Sequence, residues 1–151
     1  MRIPILVCGV ACVAACDTGP RAPDVVVGVS VSAAQITAGQ PDTVVVTATN
    51  ATDRVITLTF GTTCQLLPYI RTVSGQFVLP SDGQYICGQM ETALQFQPRE
   101  LKRQVYVWTG SNGWAGEALL QAVPAGDYEI YAEVRARELQ GASAPVRIRL
   151  Q

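Results

Sequence analysis

The side chains with most chemical reach in this chain are its five cysteines, Cys8, Cys12, Cys16, Cys64 and Cys87. A cysteine can bind a metal, exchange disulfides, attack a carbonyl or accept an acyl group, and its neighbours decide which. Here the neighbours narrow the choice. The chain has no histidine, so a common general base and metal ligand is missing. A metal at Cys64 and Cys87 would need further ligands, and a redox pair favours C-x-x-C, a spacing that does not occur. The expected role for that pair is a structural disulfide, formed in an oxidising compartment. Closing the loop between them should stabilise the fold by roughly 3 kcal/mol in the chain-entropy model.

The first three cysteines lie in or at the end of an apolar run, residues 3–15, that follows Arg2 and stops at Cys16 and Asp17. A spanning helix needs roughly 20 apolar residues, so this run is too short to cross a bilayer. A charged start, a short apolar stretch and small residues before a cleavage point are the marks of a secretory signal. Read as V-A-A-C, residues 13–16 resemble a bacterial lipobox. The resemblance implies that residues 1–15 form a signal peptide and that Cys16 is acylated after cleavage. Cys12, after Gly9, Val10 and Ala11, is a competing site with a very short apolar run before it. Residues 16–24, with Gly19, Pro20 and Pro23, then read as the lipidated cysteine and a short tether.

The rest, residues 25–151, must supply one domain, and its vocabulary is valine, threonine, isoleucine and tyrosine. Strands are expected over residues 25–32, 43–50, 55–60, 66–73, 76–79, 92–97 and 102–108. A strand is also expected over 128–137, and a last one carries Val146, Ile148 and Leu150. The alternation is clearest at Ile56, Leu58 and Phe60, and at Tyr128, Ile130, Ala132, Val134 and Ala136, which point one way. Glu129, Tyr131, Glu133 and Arg135 point the other. Ser74-Gly75 reads as a hairpin turn, and Pro68 suggests an edge position there. Residues 118–123 read equally as a strand or a helical turn. Short strands with frequent turns predict an all-β, immunoglobulin-like antiparallel β-sandwich of eight or nine strands.

From about residue 42 to 150 the order of features resembles the BsuPI-type intracellular proteinase inhibitor domain. The matching pieces are V-T-A-T-N-A-T-D-R at 46–54, I-T-L-T-F at 56–60 and the proline-led turn Q-P-R-E at 97–100. A strand ending in Trp108 and P-A-G-D-Y at 124–128 complete the set. That family is an immunoglobulin-like sandwich, and the resemblance implies a tyrosine, Tyr128, bonding back to the corner before its strand. The chain departs from the pattern at residues 75–80, which lack the usual tryptophans, at Arg99, where glycine is usual, and in having the Cys64/Cys87 pair.

Little in the sequence points to catalysis. Ser111 lacks a nucleophile-elbow context, and Glu129 and Glu133 read as a solvated strand face. No cofactor or metal site is expected. With 15% charged residues and a formal net charge of −1, nothing draws nucleic acid. The candidate binding loop is Asn112, Gly113 and Trp114, because an aromatic on a loop suits an interface anchor. The expected function is a non-enzymatic, lipid-anchored cell-envelope module that binds a protein partner, facing the periplasm or exterior. Protease inhibition through an exposed loop is the alternative, and a purely structural envelope module a further one. Anchoring predicts that Cys16→Ser moves the protein from the membrane to the soluble fraction; an unchanged distribution refutes it.

Overall fold

The computed structural model describes residues 23–151, which form an all-β sandwich with no helix among them. The expected signal peptide, Cys16 and most of the expected tether lie outside the described residues.

One sheet has the order β1–β3–β8, formed by Val25–Val31, Asp42–Asn50 and Leu101–Trp108. β3 alternates without a break, burying Asp42, Val44, Val46, Ala48 and Asn50. Its partners set the length of the sandwich: Val25 pairs with Asn50 at one end, and Asp42 pairs with Trp108 at the other. The facing sheet has the order β2–β11–β9–β5–β6. Its strands are Gln35–Ile36, Val146–Leu150, Gly126–Arg135, Leu67–Thr72 and Phe77–Leu79, and β10 (Gln140–Ala142) pairs with β9. All pairs are antiparallel except β2 with β11. A separate ribbon pairs β4, Ile56–Phe60, with β7, Thr92–Phe96.

The core fills in two halves. One gathers Val46, Ala48, Leu58, Phe60, Phe96, Ala132 and Val134. The other gathers Val44, Ile70, Trp108, Tyr128, Ile130, Ile148 and Leu150. The Trp108 ring meets Tyr128 edge-on at 5.8 Å, and its indole N–H donates to the Ser111 carbonyl at 2.6 Å. The Tyr128 hydroxyl donates to the Pro124 carbonyl, so this residue does close the corner before its strand.

Asn50 is fully buried and lies where the β3–β8 ladder gives way to the β4–β7 ribbon. Its amide nitrogen donates to the carbonyls of Arg54 at 2.7 Å and Gln97 at 2.9 Å. Its oxygen accepts from the Thr52 N–H at 2.9 Å and the Thr52 hydroxyl at 2.8 Å. Opposite it, Arg99 sits at φ 61°, in the left-handed region. That conformation costs a non-glycine residue roughly 1–2 kcal/mol. Offsetting contacts run from its guanidinium to Asp53 at 2.9 Å and the Ala51 carbonyl at 2.7 Å.

Two expectations need correction, and the edge position expected at Pro68 holds locally. The strands number eleven among the described residues, because β2 and β10, of two and three residues, are too short to show a period. Residues 118–123 are neither strand nor helix; Ala122 makes a single bridge to Ser111. β5 is an interior strand, yet β6 pairs only with Ile70 and Arg71, so Pro68 lies on the length that β6 leaves open. Its missing N–H therefore breaks no ladder bond to β6.

Replacing Asn50 with Ala should strand two carbonyls and the Thr52 donors at once. A loss of about 2–3 kcal/mol is expected in denaturant unfolding; a loss under about 0.5 kcal/mol would show that water replaces the amide.

Candidate functional site

Two loops close the side of the sandwich between β8 and β5–β6. The first, residues 80–91, leaves β6; the second, residues 109–125, leaves β8. The second loop doubles back, with the Ala115 N–H donating to the Val107 carbonyl at 2.8 Å. This return lays the Trp114 ring on Tyr106, centroids 5.0 Å apart. From there the Trp114 indole N–H donates to the Tyr85 hydroxyl at 3.3 Å, and that hydroxyl donates to the Pro68 carbonyl. The Tyr106 hydroxyl donates to the Leu66 carbonyl at 2.7 Å. Burial pushes the Tyr85 hydroxyl well above its usual pKa, and the Tyr106 hydroxyl up to about 12. Both stay neutral and act as bridges.

The predicted binding loop is thereby reassigned. Trp114 is only 8% exposed and belongs to the core. Gly113 is buried, with Glu117 and Leu120 so close that an added Cβ would meet them at 2.5 and 2.6 Å. Asn112 is exposed, but its side-chain oxygen accepts from the Gln121 N–H at 2.8 Å. A glycine-rich loop with an aromatic looked like an exposed anchor because sequence alone does not show the loop folding back onto the β8 edge.

The exposed apolar side chains lie elsewhere. Ile86 is fully exposed, and Leu119 is 94% exposed. Ile86 stands between two fixed neighbours: Tyr85, tied to Pro68 and Trp114, and Cys87, bonded to Cys64 with their Cα atoms 5.6 Å apart. Just beyond, the Thr63 N–H donates to the Gly88 carbonyl at 3.0 Å, and the Gly88 N–H donates to the Thr63 hydroxyl at 2.9 Å. An open cleft of about 380 Å³ joins the two loops, lined by Ile86, Tyr85, Asn112, Trp114 and Glu117. Sequence reasoning passed over Ile86 because an apolar residue outside any period carries no directional signal. Its place next to Cys87 was the available clue.

Other candidate chemistry is occupied. Ser111 is buried, and its hydroxyl donates to the Gly113 carbonyl at 3.0 Å. Glu129 pairs with Arg71 at 2.9 Å and Arg147 at 3.4 Å, and its hydrogen bond from Arg71 holds its pKa below the usual range. Glu133 pairs with Arg135 at 2.6 Å. Among the described residues no group of three or more His, Cys, Asp or Glu side chains could hold a metal ion.

No family model and no curated protein matches the chain. Among solved structures, a β-glucosidase from Erythrobacter marinus aligns at 15% identity and TM-score 0.49 over 84% of this chain and 15% of that one. The alkylpurine DNA glycosylase AlkC of Pseudomonas fluorescens aligns at 12% identity and TM-score 0.47, covering 85% and 30%. The C-terminal domain of wzt aligns at 9% and 0.44, covering 83% and 70%. This chain thus spans a small part of the two enzymes, and at these scores no activity transfers from them.

Trp114→Ala is expected to lower stability by about 3–5 kcal/mol, read as a large fall in melting temperature. Ile86→Ala should change stability by less than about 0.5 kcal/mol. The opposite ranking would return Trp114 to the surface.

Proposed function

We propose that the chain is a lipid-anchored cell-envelope protein whose β-sandwich binds another protein through Ile86 and its neighbouring loop. The V-A-A-C sequence ending at Cys16 supports the anchor, and the signal-like run before it supports export. One observation carries the binding reading: Ile86 is fully exposed while the residues on both sides of it are tied to the fold. A free-standing apolar side chain has a hydration cost, and a fixed backbone lowers the ordering cost of using it at an interface. Leu119, on the second loop, is a further exposed apolar side chain.

Protease inhibition is the second reading, and the same loop favours it. A loop of this kind, with no regular structure and an aliphatic side chain held outward between fixed neighbours, suits the groove of a serine endopeptidase that prefers aliphatic residues. The resemblance to the BsuPI-type domain supports it independently of the loop.

The test uses lipidated protein and native envelope extracts, with wild type beside Ile86→Asp. A specific partner should be captured by wild type and lost from the variant, with melting temperature unchanged. Undiminished capture by the variant overturns Ile86 as the anchor. In a second arm, stoichiometric slowing of an aliphatic-specific serine endopeptidase, without cleavage of the loop, selects the inhibitor reading. Ile86→Ala should then weaken inhibition by about 10- to 100-fold, the equivalent of burying one such side chain.

A further inference from the structure

A second cleft, of about 320 Å³, borders the disulfide and does not include Ile86 among its lining residues. One wall is the outer face of β5 and β9, where Leu67 pairs with Glu133 and Tyr69 pairs with Tyr131. The opposite wall is Gln84 and Tyr85 of the first loop, and the Cys64–Cys87 bond joins the two. The outer face of a sheet is ordinarily solvated, yet here Tyr69 is 2% and Tyr131 8% exposed. Their rings stack at 5.3 Å, and Tyr85 meets the Tyr69 ring edge-on at 5.3 Å. The Arg135 guanidinium lies 5.9 Å from the Tyr69 ring.

We infer that this cleft binds an uncharged saccharide. Three properties carry the assignment. First, Leu67 and the Tyr85 ring offer apolar surface to the C–H face of a sugar ring. Second, Gln65 and Gln84 line the cleft, and neither side-chain amide has a hydrogen-bond partner among the described residues. Such planar amides, with the spare oxygen of Glu133, suit adjacent hydroxyls that both donate and accept. Third, Glu133 and Arg135 neutralise one another at 2.6 Å, so the lining offers no net charge for an ionic ligand. The volume lies at the small end of the roughly 300–1,000 Å³ usual for ligand pockets, which suits one or two rings. Because disulfide and aromatic contacts set both walls, the site exists before the ligand arrives.

The test titrates the full-length protein with methyl glucoside, methyl galactoside, N-acetylglucosamine and their disaccharides, with glucuronate as the charged control. NMR follows the Trp114 indole resonance, which reports on Tyr85, and the amides of Gln84 and Glu133. At least one neutral sugar should give saturable shifts at millimolar concentration, with glucuronate weaker. Gln84→Ala and Glu133→Gln should each weaken binding by about tenfold at unchanged melting temperature. A parallel sedimentation with purified envelope glycan separates the sources. Co-sedimentation displaced by the free sugar assigns a polymer-borne residue, whereas NMR binding without it assigns a free sugar. The assignment is overturned if no neutral sugar gives saturable shifts, if both variants bind like wild type, or if glucuronate or an extended peptide binds more tightly.

Discussion

The amide of Asn50 holds together the part of this sandwich that no ladder covers. Where β3 pairing with β8 ends, the chain must turn without leaving backbone groups unpaired in the core. One side chain meets three of those needs, two carbonyls and one N–H, and also accepts from the Thr52 hydroxyl. A buried amide is costly when partly paired and rigid when fully paired. Here it is fully paired. The β4–β7 ribbon beyond it therefore starts from a fixed corner and carries Leu58, Phe60 and Phe96 into the first core half. At the far edge of that ribbon, Glu138 accepts from the Thr59 N–H at 2.7 Å, and the Arg137 N–H donates to the Thr59 carbonyl at 2.9 Å. The ribbon is thus tied to both sheets.

The other open side is closed by side chains instead of strands. Trp114 passes a hydrogen bond from the second loop to Tyr85 of the first, which passes one on to the Pro68 carbonyl. Tyr106 of β8, packed against Trp114, bonds the Leu66 carbonyl. Pro68, on the part of β5 that β6 does not reach, and Leu66, just before that strand, leave carbonyls that the tyrosine hydroxyls use. Loops that would ordinarily be mobile are in this way fastened at Tyr85 and Trp114, while Ile86 and Leu119 stand almost wholly in solvent. The same fastening gives the neighbouring cleft its walls.

How much of this was legible in the sequence follows from the length over which each feature repeats. β3, β4, β9 and β11 alternate over five or more residues, and period two alone places their inward faces. Tyr128 was legible because its turn, its ring and its strand come together in five residues. Counting cysteines found the disulfide. β2 and β10 offered no period to read, and they exist because longer neighbours hold them. Trp114 misled for a different reason: the loop's return onto Val107 is a long-range backbone contact, and glycine-rich composition says nothing about its direction. Tyr131 was placed correctly on the outward face, but its burial depends on Tyr69 across the strand pair and was invisible from either residue alone. Ile86 became informative only once both neighbours were seen to be tied down.

The end-to-end register of the first sheet also fixes a direction. The chain enters the domain at Val25, beside Asn50, while Trp108 and the start of the second loop lie at the opposite end, against Asp42. Nine residues of β3 separate the two, about 25–30 Å at the rise of a strand. Any attachment upstream of Val25 therefore pulls on one pole of the sandwich and presents the other outward. The fold acts as a short mast: what is fastened at its foot decides which residues stand at its head.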